Sequence, residues 1–191
     1  MAENKVQFGL KNVHIAKLTT TINSGVITYT YGTPSAELGA VTLTLDPSGD
    51  VSPFYADNVV FYNAVANNGY SGTLEMARYS DKFMTDILGY TLTTTGKVLM
   101  ENSTAEPSPF ALLYQIDGDE NDQYYVLYNC TITRPGVGST TITETKTPQT
   151  QSATITAAPR ADGLVFARTT DTTPTATKTA WFSTVYEGDT P

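Results

Sequence analysis

The chain has 191 residues, with 11 lysines and arginines against 19 aspartates and glutamates and a formal net charge of −8. That sign excludes a surface built to grip nucleic acid, because neutralising phosphates takes clustered lysine and arginine, and Arg78, Arg134, Arg160 and Arg168 are scattered. A single cysteine, Cys130, excludes an intramolecular disulfide framework and fits assembly in a reducing cytosol.

Residues 1–191 are expected to form one domain, since a chain of this size can bury roughly 70 % of its unfolded surface. No apolar run follows Met1 and no stretch approaches the ~18 apolar residues of a membrane span, so neither a secretory leader nor a membrane is expected. Residues 1–5 read as a polar arm. Val6–Leu10 and Val13–Ala16 read as a first strand with an irregularity near Gly9. Val26–Tyr31 alternates, with Ile27, Tyr29 and Tyr31 on one face, and Val41–Leu45 repeats the pattern. Pro47, Gly49 and Pro53 then break it, so 46–58 is expected to be a loop carrying Phe54 and Tyr55. Val59–Ala66 resumes as strand, Asn67-Asn68-Gly69 turns, and Tyr70–Tyr79 is a strand that feeds a helix.

That helix, over about residues 81–88, is the one segment with apolar residues at helical spacing. Phe83 and Ile87 stand four apart, as do Met84 and Leu88, and Ser80, Asp81 and Gly89 suit its N-cap, first turn and C-terminal stop. It is too short to be stable alone, so the four apolar residues must dock on a sheet. After a short strand at Lys97–Glu101, Phe110–Asp117 and Gln123–Arg134 form a hairpin around 118–122. Strict alternation on the return strand puts Tyr124, Val126, Tyr128, Cys130 and Ile132 on a core face, and Gln123, Tyr125, Leu127, Asn129, Thr131 and Thr133 on the other. Thr140–Thr147, Ser152–Ala158, Leu164–Thr169 and Lys178–Tyr186 are four further strand candidates, followed by a short tail over about 187–191. The Thr-rich run 139–150 is polar on both faces, either an edge strand or one buried by a neighbouring chain. The fold class is all-β, a β-sandwich flanked by one short helix.

Chemistry is sparse. His14 is the only histidine and lies in the first strand without a nucleophile motif, and Gly69-Tyr70-Ser71-Gly72 lacks the spacing of a nucleophile elbow. The acidic run Asp117–Asp122 fails as a calcium loop because its sixth position is Asp122 and its twelfth is Tyr128. No catalytic residue, metal ligand or cofactor is expected, and the protein reads as no enzyme.

Four blocks together resemble the major tail protein of siphophages infecting Gram-positive bacteria: Val41–Leu45 with the 46–58 loop, Tyr79–Tyr90, Phe110–Ile116 and Tyr125–Pro135. The resemblance implies a phage tail tube fold and a structural virion protein, with six copies closing a ring and rings stacking into the non-contractile tail tube through which the genome is ejected. It further implies tape-measure, tail-terminator and distal-tail proteins as partners, and transient, non-specific passage of DNA through the lumen. On this reading Asp46, Pro47, Phe54 and Tyr55 make the contact between rings, while Gln123, Tyr125, Asn129, Thr131 and Thr133 are candidates for the lumen wall. An acidic wall suits a conduit past which phosphate must slide. The alternatives are a cell-surface or carbohydrate-binding β-sandwich module whose tyrosines stack on sugar rings, and a glycosidase. For Phe54 and Tyr55 themselves, packing back on the subunit's own sandwich is the other possibility.

Overall fold

Alternating side chains make strands along most of the chain, and two tight turns with both central residues at positive φ fold four of them into hairpins. The computed structural model describes residues 4–142, 144 and 147–188. β1 (Gln7–Asn23) returns as β2 (Val26–Tyr31) through Ser24 at φ 50° and Gly25 at φ 81°, the turn whose twist matches that of the flanking strands. β3 (Ser35–Ala36) and β4 (Ala40–Pro47) follow. β5 (Val51–Ala56) returns as β6 (Val59–Val65) through Asp57 at φ 50° and Asn58 at φ 65°. β7 (Tyr70–Met76) leads to helix α1 (Asp81–Asp86), then β8 (Thr91–Leu92) and β9 (Leu99–Met100). The last elements are β10 (Phe110–Gly118), β11 (Gln123–Ile132), β12 (Gln151–Ala157), β13 (Phe166–Arg168) and helix α2 (Thr175–Ala180).

Nine strands form one antiparallel sheet in the order β2-β1-β10-β11-β12-β7-β4, with β3 beside β1 and β13 beside β11. The protein is mostly β, with two very short helices, and β5–β6 and β8–β9 stand apart as two-stranded ribbons. The sheet bends without closing. Leu43 and Leu45 of β4 join one core with Leu10, Val13 and Ile15 of β1, although no hydrogen-bond ladder links the two strands. α1, which ends at Asp86 rather than near 88, and the turn after it close this core, with Phe83, Ile87 and Leu88 buried and Met84 half-buried. Ser80 caps it by accepting the Phe83 N–H at 3.0 Å, and the buried Glu37 carboxylate accepts the Ser80 hydroxyl at 2.5 Å and N–H at 3.3 Å. Where β7 lies between β4 and β12, Gly72 is required. A Cβ there would stand 1.8 Å from the Thr44 carbonyl oxygen.

Several expectations change. β1 runs far longer than Val6–Ala16, with register shifts against β10 around Gly9 (φ 78°) and Asn12 (φ 53°). The region 46–58 is not a loop: Asp46 and Pro47 end β4, and Phe54 and Tyr55 lie within β5. Pro53 is tolerated there because β5 pairs on one edge only. Leu164–Thr169 contracts to three strand residues, and Lys178–Tyr186 is helix and turn rather than strand. In the Thr-rich run, Thr140, Thr141, Ile142 and Glu144 are not in a strand, and positions 143, 145 and 146 lie outside the described residues. So do residues 1–3 of the expected arm and 189–191 of the expected tail. Asn4 is tied down, its side chain accepting the N–H groups of Glu120 at 3.0 Å and Asn121 at 2.8 Å. Among the described residues no helix is long and apolar enough to cross a membrane.

The face assignment on β11 also changes. Leu112 pairs with Leu127 but Phe110 pairs with Cys130, so a bulge at Tyr128–Asn129 inverts the alternation. Leu127, Cys130 and Ile132 therefore belong to the core under α1, with Tyr125 packed beside them. Val126 and Tyr128 belong to a second cluster with Ala16, Ala111, Leu113 and Trp181, and Tyr124 packs against it.

Candidate assembly interface

Among the described residues, exposed large apolar side chains gather on the β5–β6 hairpin: Val51, Phe54, Tyr55, Val59–Tyr62 and Val65. Its sequence dictates the form: two apolar runs separated by the dipeptide Asp57-Asn58 make a two-residue hairpin, with Asp57 its only charged residue between Val51 and Val65. It rises from the β4–β7 ladder through bonds from Ser48 N–H to Gly69 O and Asn68 N–H to Ser48 O, both 2.8 Å, and from Ala66 N–H to Asp50 O at 3.0 Å.

Pairing places Val51, Pro53, Tyr55, Val60, Asn63 and Val65 on one face, and Ser52, Phe54, Ala56, Val59, Tyr62 and Ala64 on the other. Phe61 is the extra residue of a bulge. Both faces are apolar and neither is covered. Phe54 is 60 % exposed, Tyr55 63 %, Phe61 72 % and Tyr62 63 %. Packing of Phe54 and Tyr55 onto the chain's own sheet is thus excluded. A contiguous patch of this kind makes the hairpin a candidate interaction surface, which single exposed apolar residues are not. Asp46 and Pro47 are exposed at the base of the hairpin, paired with Ser71 and Tyr70. Phe54 and Tyr55, by contrast, point to opposite faces.

The five lumen candidates do not share one face. Tyr125 stacks on Tyr114, ring centroids 5.0 Å apart, and donates to Gln123 Oε1 at 2.9 Å, on the side of the core under α1. Beyond the bulge, Thr131 and Thr133 are exposed on the opposite side from Cys130 and Ile132, and Asn129 is half-buried, its carbonyl accepting the Ala158 N–H at 2.9 Å. The acidic turn after β10 is occupied internally. Lys11 lies 2.7 Å from Asp117 and 4.0 Å from Asp122, and the Gln115 amide donates to Asp122 at 2.7 Å. Among the described residues no three carboxylates, histidines or cysteines gather to hold a metal. His14 Nδ1 contacts the Asn12 carbonyl at 2.9 Å, and its ring stacks on Phe182. Cys130 is fully buried, and burial pushes its thiol up to about 12, so it is no nucleophile in the folded chain.

The sequence reading missed the hairpin as a unit because two prolines outweighed the pattern. The signal was nonetheless present in Val51, Phe54 and Tyr55 facing Val59–Tyr62 across a two-residue turn. It also missed a roof over the second cluster, made by Trp181, Phe182, Val185 and Tyr186. Those residues recur four apart, 181 with 185 and 182 with 186, which is helical rather than strand spacing. Compared with models of known protein families and with curated proteins, the chain matches none of them.

Proposed function

We propose that the chain is the subunit of a homo-oligomeric tube of the kind formed by siphophage major tail proteins, a structural component of a virion tail and not an enzyme. The observation that carries the reading is the β5–β6 hairpin, apolar on both faces and uncovered on both. A ribbon of that composition leaves its apolar side chains in water unless a partner surface closes over it, and a second ring would supply one. The sheet supports the same reading. It ends in β2 and β4, two different edges, and pairing the β2 edge of one copy with the β4 edge of the next is a heterologous contact that closes into a ring when the rotation allows. On this proposal the bent sheet with α1 at one end is the tail tube form of a β-sandwich, six copies make a ring, and rings stack through the hairpin into a conduit for DNA. Tape-measure, terminator and distal-tail proteins would be its neighbours in the tail.

The test is assembly. Purified protein at rising concentration is examined by light scattering and by negative-stain electron microscopy, beside a Phe54→Ala, Tyr55→Ala variant that strips one aromatic from each face. An aromatic anchor at an interface is worth at least ~2 kcal/mol, and a ring repeats the loss in every copy. Wild type is expected to form rings or tubes, and the variant to keep its circular dichroism and melting temperature while failing to elongate. A wild type that stays monomeric at every concentration and binds glycan would overturn the proposal in favour of a carbohydrate-binding module. A variant that elongates as well as wild type would move stacking to another segment.

A further inference from the structure

The second apolar cluster is roofed by the chain's own C-terminal segment. Trp181, 3 % exposed, packs with Ala16, Ala111, Leu113, Val126 and Tyr128, and Phe182, Val185 and Tyr186 pack beside it. This roof is attached unlike any strand. Among the described residues, backbone hydrogen bonds formed beyond Thr169 stay inside the segment: Thr173 to Thr170, Lys178 to Pro174, Trp181 to Lys178, and Ser183 and Thr184 to Ala180. No ladder joins it to the sheet. α2 has six residues and no side-chain cap, well short of the length at which a helix is stable by itself. Side chains hold the segment at separate points. The Trp181 indole N–H donates to the Tyr125 carbonyl at 3.2 Å, the Tyr128 hydroxyl donates to the Tyr186 carbonyl at 2.8 Å, and Phe182 stacks on His14 at 4.6 Å.

The remaining anchor is ionic. Arg160 is the buried basic residue among the described residues, its side chain 8 % exposed. Nη1 donates to Glu187 at 2.9 Å and to the Tyr31 hydroxyl at 3.1 Å, and Nη2 donates to Asp162 at 2.7 Å. The guanidinium carbon stands 4.2 Å from the ring centroid of Tyr29, 5.8 Å from that of Tyr31 and 5.7 Å from that of Tyr128. Three aromatic rings and Asp162 hold the cation ready from outside the segment, and Glu187 is what the segment brings to it. Taking Glu187 away leaves the buried charge with one carboxylate and weakens only the attachment of the segment.

We propose that residues 170–187 are a releasable strap, clasped by Arg160 and Glu187, that lifts from β1, β10 and β11 as a unit while the sheet stays folded. Lifting breaks no backbone hydrogen bond of the sheet, which puts the strap at the low end of the chain's range of local stabilities. The proposal stands independently of the assembly reading.

Trp181 is the only tryptophan in the chain, so its emission and acrylamide quenching follow the strap while far-ultraviolet circular dichroism follows the sheet. Full-length wild type and Glu187→Gln are titrated with urea and read by both signals, and amide exchange is followed by mass spectrometry. In wild type the emission midpoint is expected at lower urea than the dichroism midpoint. Glu187→Gln widens the gap, and exchange within 175–187 speeds up about tenfold, the effect of losing one charge-assisted hydrogen bond at a partly exposed acid, while amides of 110–118 and 123–132 keep their protection. Coincident midpoints in both proteins overturn the strap. A gap that Glu187→Gln leaves unchanged overturns the clasp, and loss of the dichroism signal in that variant at zero urea shows that the segment is part of the sheet's own cooperative unit, which also overturns the proposal.

Discussion

Replacing Phe83 with alanine tests how much of this fold depends on a helix that cannot stand alone. The Phe83 side chain is 2 % exposed, its ring centroid 4.8 Å from that of Tyr79 and, edge to face, 6.2 Å from that of Phe110. Full burial of such a side chain contributes ~1.5–3 kcal/mol, and each aromatic pair adds ~0.5–1.5 kcal/mol. The sum agrees with the ~3–5 kcal/mol measured for Phe→Ala in cores. In a domain of this length each kcal/mol moves the melting temperature by ~2–4 °C, so Phe83→Ala should melt ~6–20 °C below wild type by circular dichroism. Met84→Ala, on the half-buried position next to it, is the internal control and should lose clearly less. The same melting temperature for Phe83→Ala and wild type would mean that α1 is not docked as described and that the core under it closes in some other way.

Cys130 should resist a water-soluble maleimide in the native protein and react at once after denaturation, because the residue is fully buried despite the bulge beside it; rapid native labelling would refute the register of β11. Stability should also fall on the alkaline side. Burial raises Cys130 from its ordinary 9.0 to about 12 and Tyr31 from 10.0 to about 12, and pushes Tyr79, Tyr114 and Tyr128 up as well. The folded chain therefore holds these protons more tightly than the unfolded one. Their contribution is complete below the unfolded values and is lost as pH rises from about 9 towards 12, so the urea midpoint should decline across that window, and a midpoint constant to pH 11 would contradict the burial of these groups.

Local signals carried α1 and the β10–β11 hairpin, and failed where a distant partner decides. Ser80, Asp81, Phe83 and Ile87 lie within two helical turns, so cap, dipole and stripe can all be seen in eight residues. The inversion on β11 cannot. It arises because Ala111 on β10 is met by two residues, Tyr128 and Asn129, and nothing in the alternation of 123–132 announces the extra one, so Tyr124, Val126 and Tyr128 were grouped with Cys130 and Ile132 although they pack on the opposite side of the sheet, and Tyr125 and Leu127 were set apart from the core they join. Pro53 misled for a related reason. Proline argues against a central strand but not against the outer edge of a two-stranded ribbon, and whether β5 had a second neighbour was a tertiary fact. The Arg160 cage was beyond any local reading, since Tyr29, Tyr31, Tyr128, Asp162 and Glu187 come from four separate stretches of chain.

The edges of the sheet bear on the assembly proposal independently of the hairpin. Chains that remain monomeric protect long edge strands with lysine, proline or inward-pointing charge, since a free row of N–H and C=O groups templates pairing with another chain. β2, Val-Ile-Thr-Tyr-Thr-Tyr, carries neither charge nor proline, and β4 has only Asp46 and Pro47, both at the end next to the hairpin. The six residues of β2 and the first six of β4, 40–45, are thus left as unguarded, β-prone edges. A chain with net charge −8 has acidic residues to spare, and they fall elsewhere, in the turn after β10, on α1 and around Arg160. On the assembly proposal, unguarded edges at the two ends of one sheet and a hairpin apolar on both faces would serve two contacts of different kinds: one in the plane of the sheet, edge to edge, and one across the projecting ribbon. A symmetric dimer satisfies only one of the two, whereas stacked rings, as proposed above, would satisfy both, the edge-to-edge contact within a ring and the ribbon contact between rings.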